Sequence, residues 1–376
     1  MRDLQLLKNM VEIDSSTVDG QNKMIELLQD YLTPFANKIK IIGKERKNIL
    51  AFFGNVKSDN ILLFNGHVDT VSVSKKDCKF NPFSLVEQDD FWYGRGTGDM
   101  KGGIYCVLNA IIQAQNDNLL NDKLMIFAGT CDEETGSNSS FGASAVVDYF
   151  LKENLIPSAC VIPEPNKQNV PIKLNLGHRG LIWIKATSSG VRMHSGSIEK
   201  EDNAITNVTC FLNKLRKKLT NQPQKNSKGM PCSSARVTGI YSDNNEFNVV
   251  PTMCEANIDI RVSPQDKNKD VLKKVQKLAV KYGVKLEVVK NTPSSQIKKN
   301  ERIVQELLNI CEENNFECEL GYSSATCDAH FFNNEKIPTV VGVGVDAKNV
   351  HANDECITKQ SLQKCEEVFY SLIKKW

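Results

Sequence analysis

Apolar and polar positions follow two different patterns along this chain, and the changeover between them divides it. Near the N-terminus Leu4, Leu7, Met10 and Val11 recur at helical spacing, and a second helix is predicted through MIELLQDYL after Asp19-Gly20. Unbroken apolar runs follow at NILAFF, NILLFNG, KLMIFAG and ACVIP, each suited to a strand buried on both faces. Helical patterns at GGIYCVLNAIIQAQ and GASAVVDYFLKE separate the later runs. Together they predict an α/β layer: a mixed, largely parallel sheet with helices on both faces. From about Gly177 the character changes. GLIWIKATSSG, SSARVTGIYS and FNVVPTMCEANIDIRV suit antiparallel strands, and two helices, around AITNVTCFLNKLRKKL and KNKDVLKKVQKLAVKYG, complete an α+β module. The polar NQPQKNSKGMP is predicted as a surface loop. After residue 290 the α/β pattern returns, with a helix at ERIVQELLNICEENN, the run IPTVVGVGV and a closing helix to Trp376. The economical division is one discontinuous domain, 1–176 and 291–376, interrupted by an inserted domain at 177–290.

Composition narrows the partners. A chain of 376 residues is too long for one simple core. Its 47 Lys+Arg against 45 Asp+Glu leave a formal charge of +2, so no positive field draws it to nucleic acid or an anionic membrane. No run approaches the ~18 apolar residues of a membrane span, and Arg2, Asp3, Lys8 and Glu12 interrupt any signal-peptide core. Twelve cysteines, scattered from Cys78 to Cys365 without a C-x-x-C, are expected as reduced thiols in a cytoplasmic protein. Only five histidines are present, so a metal site would draw mostly on carboxylates.

The chemistry gathers where strands end. In open α/β sheets ligands bind at the carboxyl ends of strands. ILLFNG leads into His67-Val68-Asp69, LMIFAGT into Cys131-Asp132-Glu133-Glu134, CVIP into Glu164, and VVGVGV, after a short loop, into His351. Asp99 lies in the glycine-rich turn GRGTGDMKGG before a helix. In an extended segment His67 and Asp69 project to one side, so the Asp69 carboxylate is expected to accept from one ring nitrogen and leave the other for metal. The turn matches neither G-x-G-x-x-G nor G-x-x-x-x-G-K-[ST], and an acid in its middle opposes phosphate.

Together GHVDTV (66–71), GRGTGDMKGG (94–103), GTCDEETGS (129–137), the PEP around Glu164 and the late His351 in NVHANDE resemble the M20 family of metallopeptidases and amidohydrolases, on its acetylornithine deacetylase and succinyl-diaminopimelate desuccinylase side. The motifs span nearly the whole chain. The resemblance implies two divalent metal ions, with Zn2+ expected first and Co2+ or Mn2+ able to substitute. His67, Glu164 and a bridging Asp99 would bind one ion, and Asp99, Glu134 and His351 the other. Glu133 would be the general base and Asp69 the partner of His67. The reaction implied is hydrolysis of the amide bond in a small N-acyl amino acid or N-acyl diamino acid. A dipeptidase of the same family is the runner-up, and an inactive member acting as a binding or assembly protein is the reading from another class.

The same resemblance makes the insertion a dimerisation domain that lends His194, in MHSGS, to the partner's active site as an oxyanion donor. The proline often found shortly after this motif is replaced by Ile198-Glu199. Arg261 in ANIDIRVSP matches a position that binds substrate carboxylate, against a plain pairing with Asp259. Arg179 in His178-Arg179-Gly180, and Asn248 in FNVVP, fall in further substrate-facing segments. GYSSATCDAHFF resembles a substrate-contacting loop, with Cys327 and His330 where the family commonly has serine and arginine. Cys327 and Cys131 are expected to pack as small hydrophobes.

Overall fold

A computed structural model describes residues 3–134, 140–168, 170, 172–197, 202–219, 229–323 and 325–376. The chain divides into two compact units: Met1–Leu176 with Ile297–Gly321 and Cys327–Trp376, and Gly177–Gln296 with Tyr322–Thr326.

The first unit is built on a mixed sheet. β1 (Lys38–Ile42), β2 (Asn48–Gly54), β3 (Ile61–His67), β6 (Leu124–Thr130), β7 (Ala159–Ile162), β18 (Thr339–Val341) and β9 (Ile172–His178) lie in the order β1-β2-β6-β3-β7-β18-β9, and β17 (Cys318–Ser323) also pairs with β9. The central block β6-β3-β7-β18 is parallel, while β1, β2 and β9 pair antiparallel at its margins. Every residue of β3 and β6 is buried, as continuous apolar runs require when both faces are covered. The helices of this unit are α1 (Gln5–Glu12), α2 (Val18–Leu32), α3 (Gly102–Asn116), α4 (Ala143–Lys152), α7 (Arg302–Glu313), α8 (Ala329–Asn334) and α9 (Lys359–Lys375). The α1 stripe that goes inside is Leu6, Leu7, Met10 and Val11, while Leu4 sits at its N-cap. Thr17 and Thr358 cap α2 and α9, each hydroxyl accepting a backbone N–H of the first turn.

A second, smaller sheet in this unit matters more than its size suggests. β4 (Val86–Gln88), β5 (Phe91–Tyr93), β20 (Cys356–Thr358), β19 (Asp346–Lys348) and β8 (Asn166–Lys167) form it in that order. It pairs Tyr93 with Cys356, so the chain near residue 94 and the chain near residue 355 leave the same ladder together.

The second unit is α+β. β12 (Ser234–Ser242), β14 (Met253–Val262), β10 (Gly180–Ser189) and β15 (Lys285–Thr292) form an antiparallel sheet in that order. Burial alternates strictly along β14, the period-two pattern of a sheet covered on one face. The covered face packs on α5 (Ala204–Leu219) and α6 (Asn268–Lys281), with Ile182, Ile258 and Ile260 meeting Val208, Phe211 and Val275. A two-stranded ribbon joins β11 (Met193–His194) to β13 (Val249–Val250). The unit runs on to Gln296 rather than stopping at 290. β15 continues to Thr292, opposite Leu181, and β16 (Ser295–Gln296) pairs with the Gly177–His178 end of β9.

Candidate metal centre

Because β6, β3 and β7 run parallel side by side, the loops leaving their carboxyl ends converge. His67 is the last residue of β3, and its ladder partner Thr130 is the last of β6, so Cys131–Glu134 begin beside it. Glu164 follows the end of β7. Asp99 arrives from the turn after β5, and His351 from the loop between β19 and β20.

Asp99 is the centre of this arrangement. Its Oδ1 lies 2.9 Å from His67 Nε2 and its Oδ2 3.1 Å from His351 Nε2. His351 Nε2 is also 2.8 Å from Glu134 Oε1, and Glu164 Oε1 is 3.8 Å from His67 Nε2. One ligand atom each from His67, Asp99 and Glu134 lies within 4.8 Å of the others. One carboxylate thus faces two imidazoles, with Glu164 on the His67 side and Glu134 on the His351 side.

Supporting contacts aim these groups. His67 Nδ1 makes its 3.0 Å hydrogen bond to the Asp69 carbonyl, whereas the Asp69 carboxylate is 3.7 Å away. That carboxylate, fully buried, instead accepts the backbone N–H groups of Glu133 (3.2 Å) and Glu134 (2.8 Å). Asp69 thus meets the His67 ring through its carbonyl rather than the expected carboxylate, because the loop after β6 offers that carboxylate two amide donors that no local pattern reveals. Asp132 turns that loop in the left-handed region, φ 69°, and ties to Arg46 at 2.5 Å. Asn48 accepts from the Cys131 N–H at 3.0 Å. Arg46, Asn48 and Asp328 escaped the sequence reading. Only Asp328 carried a usable signal, as the acid of the substrate-loop motif.

The electrostatics are those of crowded acids. Burial pushes the Glu133 and Glu164 carboxyls well above the usual range; other acids nearby add to this and His67 opposes it. Burial raises Asp328 to about 7. Asp99 is held well below its usual value in spite of burial, by hydrogen bonds from His351 and His67. Burial works against charging His67, yet Asp99, Glu164 and Asp69 outweigh it and raise its pKa well above the ordinary value. Hydrogen bonds to Asp99 and Glu134 lift His351 to about 10.

The remaining candidates lie elsewhere. In the second unit Arg261 grips the Asp259 carboxylate with Nε at 2.9 Å and Nη2 at 3.1 Å, the plain pairing weighed from sequence. Arg179 Nη1 donates to Ser234 Oγ at 3.0 Å, and burial, with Arg261 and Arg236 nearby, lowers its pKa. His194 is exposed, its Nδ1 accepting from the Gly196 N–H at 3.1 Å, and Ser195 N–H donates to the Asn248 carbonyl at 2.9 Å. His194 and Asn248 are therefore neighbours in the ribbon, and Arg179 and Arg261 neighbours at the opposite end of the β10–β14 ladder. His178 is buried with Nδ1 on the Arg179 carbonyl. In the first unit His330 is buried, with Nδ1 on the Cys327 carbonyl and its ring against Phe331, a packing position rather than a surface one. Burial pushes the Cys131 thiol up to about 12, and burial together with the nearby Glu164 and Glu133 raises Cys327 well above its ordinary value. Thr135–Ser137 of the acidic motif, Ile198-Glu199, Ser324 and most of the polar loop at 221–231 lie outside the described residues.

Residues 63–375 match the family described as Peptidase family M20/M25/M40. The chain belongs to this family. It is a hydrolytic enzyme of the M20 metallopeptidase and amidohydrolase type. A succinyl-diaminopimelate desuccinylase of Rickettsia bellii (strain RML369-C) is 27% identical over 387 residues, covering 98% of this chain and 95% of the relative. Among solved structures, the M20 family metallo-carboxypeptidase Sso-CP2 from Sulfolobus solfataricus superposes with a TM-score of 0.81 at 18% identity, covering 100% of this chain and 99% of that one. A dinuclear metal-binding M20 peptidase from Bacillus subtilis gives 0.71 at 12% identity, covering 99% and 96%. These structural likenesses show the fold.

The donor set of this M20 member fits divalent cations. Burial raises the Glu133 and Glu164 carboxyls most and the repulsion of neighbouring acids adds to it, and cations placed between these groups favour their charged forms. Imidazole and carboxylate donors suit Zn2+, Co2+ and Mn2+. Asp69→Ala strands the two part-buried amides of Glu133 and Glu134 at this site. It is expected to lower unfolding free energy by about 1–3 kcal/mol for each, measured by urea denaturation of metal-free protein.

Proposed function

We propose that this M20 member hydrolyses the amide bond of a small N-acyl amino acid or N-acyl diamino acid, of the deacetylase or desuccinylase type, using two divalent ions. The observation that carries this reading is the Asp99 carboxylate facing two imidazoles, with a further acid on each side. His67, Asp99 and Glu164 would hold one ion and Asp99, Glu134 and His351 the other, with Zn2+ the expected metal. When bound, the pair supplies Lewis-acid polarisation of the amide carbonyl and acidification of the attacking water. Glu133, tied through its backbone to Asp69, takes the proton from that water on its carboxylate and passes it to the leaving amine nitrogen. Arg179 and Arg261 orient the substrate through its carboxylate, and Asn248, beside His194, reaches it from a partner copy. The N-acyl diamino acid class is supported by the full-length likeness to the desuccinylase.

His194 donates to the developing oxyanion from the second unit of a partner copy. Within one unit His194 cannot join the arginines on a small substrate. Arg261 and Met253 are eight ladder positions apart, and at about 3.3 Å each the ribbon leaves roughly 26 Å from Arg261. Val237, Ile240 and Tyr241, exposed on the edge strand β12, offer apolar surface for a homodimer. Among the described residues, which include all twelve cysteines, there is no disulfide, in keeping with a cytoplasmic setting.

Activity across a panel of N-succinyl and N-acetyl amino acids and dipeptides should vanish on chelation and return with Zn2+ or Co2+. Glu133→Ala should lose about 10²–10⁴-fold in kcat while keeping its metal content. Activity undiminished after verified metal loss refutes the mechanism, and turnover confined to dipeptides overturns the substrate class. Mixing inactive His194→Ala with inactive Glu133→Ala protein should restore activity through hybrid dimers; no recovery in verified hybrids means that His194 does not act across subunits.

A further inference from the structure

The glycine-rich turn that carries Asp99 is wrapped around an anion, and the anion belongs to the chain itself. Glu355 is buried, and each of its carboxylate oxygens accepts two N–H groups. Oε2 takes Arg95 Nη1 at 2.6 Å and the Gly96 amide at 2.9 Å; Oε1 takes the Gly98 amide at 2.9 Å and the Asp99 amide at 3.0 Å. The lone-pair sites of a carboxylate are filled by four such bonds. Arg95 then reaches across with Nη2 to the Ala352 carbonyl at 2.9 Å, next to His351. Behind them the Gly94 amide donates to the Glu355 carbonyl at 3.0 Å, continuing the β5–β20 pairing.

The local sequence is shaped to this contact. Gly96 takes φ 79°, a conformation L side chains rarely adopt. A Cβ on Gly98 would sit 2.6 Å from the Ala347 Cβ and 3.2 Å from Glu355 Oε1, so only glycine lets the turn close on the carboxylate. Successive amides pointing at one anion form a concave nest of the kind that binds anions elsewhere.

We propose that Glu355, braced by Arg95, is the positioning group of the metal centre. It touches no substrate. It fixes the Asp99 backbone from one side and the His351 loop from the other, and so sets the distance between the bridging carboxylate and the second imidazole. The inference rests on the two-ion reading above. Glu355→Gln turns an amide NH2 toward N–H donors and strips Arg95 of its counter-charge, which opens the clasp.

The test is Co2+ titration of metal-free protein, followed by visible absorption, with far-UV circular dichroism verifying the fold. Wild type is expected to take two equivalents. Glu355→Gln should weaken the second about 10–100-fold, the usual effect of losing a group that orients ligands, and alter the spectrum of the loaded form. Arg95→Lys keeps the charge but loses the Ala352 bond, and should move both readouts the same way by less. Folded Glu355→Gln with wild-type affinity and spectrum, even if less heat-stable, overturns the inference and leaves the two-ion reading intact. Should Glu355→Gln fail to fold, Arg95→Lys decides by the same criterion. Wild type that binds no Co2+ removes both.

Discussion

One carboxylate shared between two imidazoles is the constraint on which the first unit depends. Asp99 faces His67 with one oxygen and His351 with the other, and the acids flank them, only if five chain segments, distant in sequence, arrive at one point. The parallel block β6-β3-β7 delivers three of them as neighbouring strand ends. The small sheet delivers the other two ligands together, from the ends of β5 and β19. Backbone strain collects in the same loops: Asp132, Val343 and His351 all take positive φ, for valine an outlying conformation. A plain sheet would not hold these residues so. Packing around the site pays for it.

The two units have different chemistry. The first holds acids and imidazoles in crowded proximity. The second offers guanidinium groups, with Arg261 already matched to Asp259. Any anion that engages Arg261 has to compete with, or rearrange, this existing bidentate pair.

Much of the centre was legible in the sequence because its residues sit where short patterns change. His67, Glu133, Glu134 and Glu164 follow apolar runs, and Asp99 and His351 lie in compact motifs. What escaped depends on contacts that no local pattern encodes. The Asp69 carboxylate finds its donors 64 and 65 residues away, and Arg95 meets Glu355 across 260. His330 was placed near substrate by its motif, but α8 turns it inward against Phe331. The strand KLEVVKN outlasts its apolar pattern because its pairing with β10 continues to Thr292. The glycine-rich turn departs from the phosphate-binding motifs in sequence, although the physics is shared. Its amides do hold an anion, and Glu355 has taken the place a phosphate would occupy.

The small sheet also sets an order of events. During synthesis from the N-terminus, His67, Asp99 and the acids at 133, 134 and 164 emerge well before β20 and Glu355. Until then β5 has no β20 to pair with, and the Asp99 turn has nothing to close upon. Contacts this distant in sequence form late and slowly. A nascent chain that lacks β20 therefore carries most of the candidate ligands without the means to hold them in register.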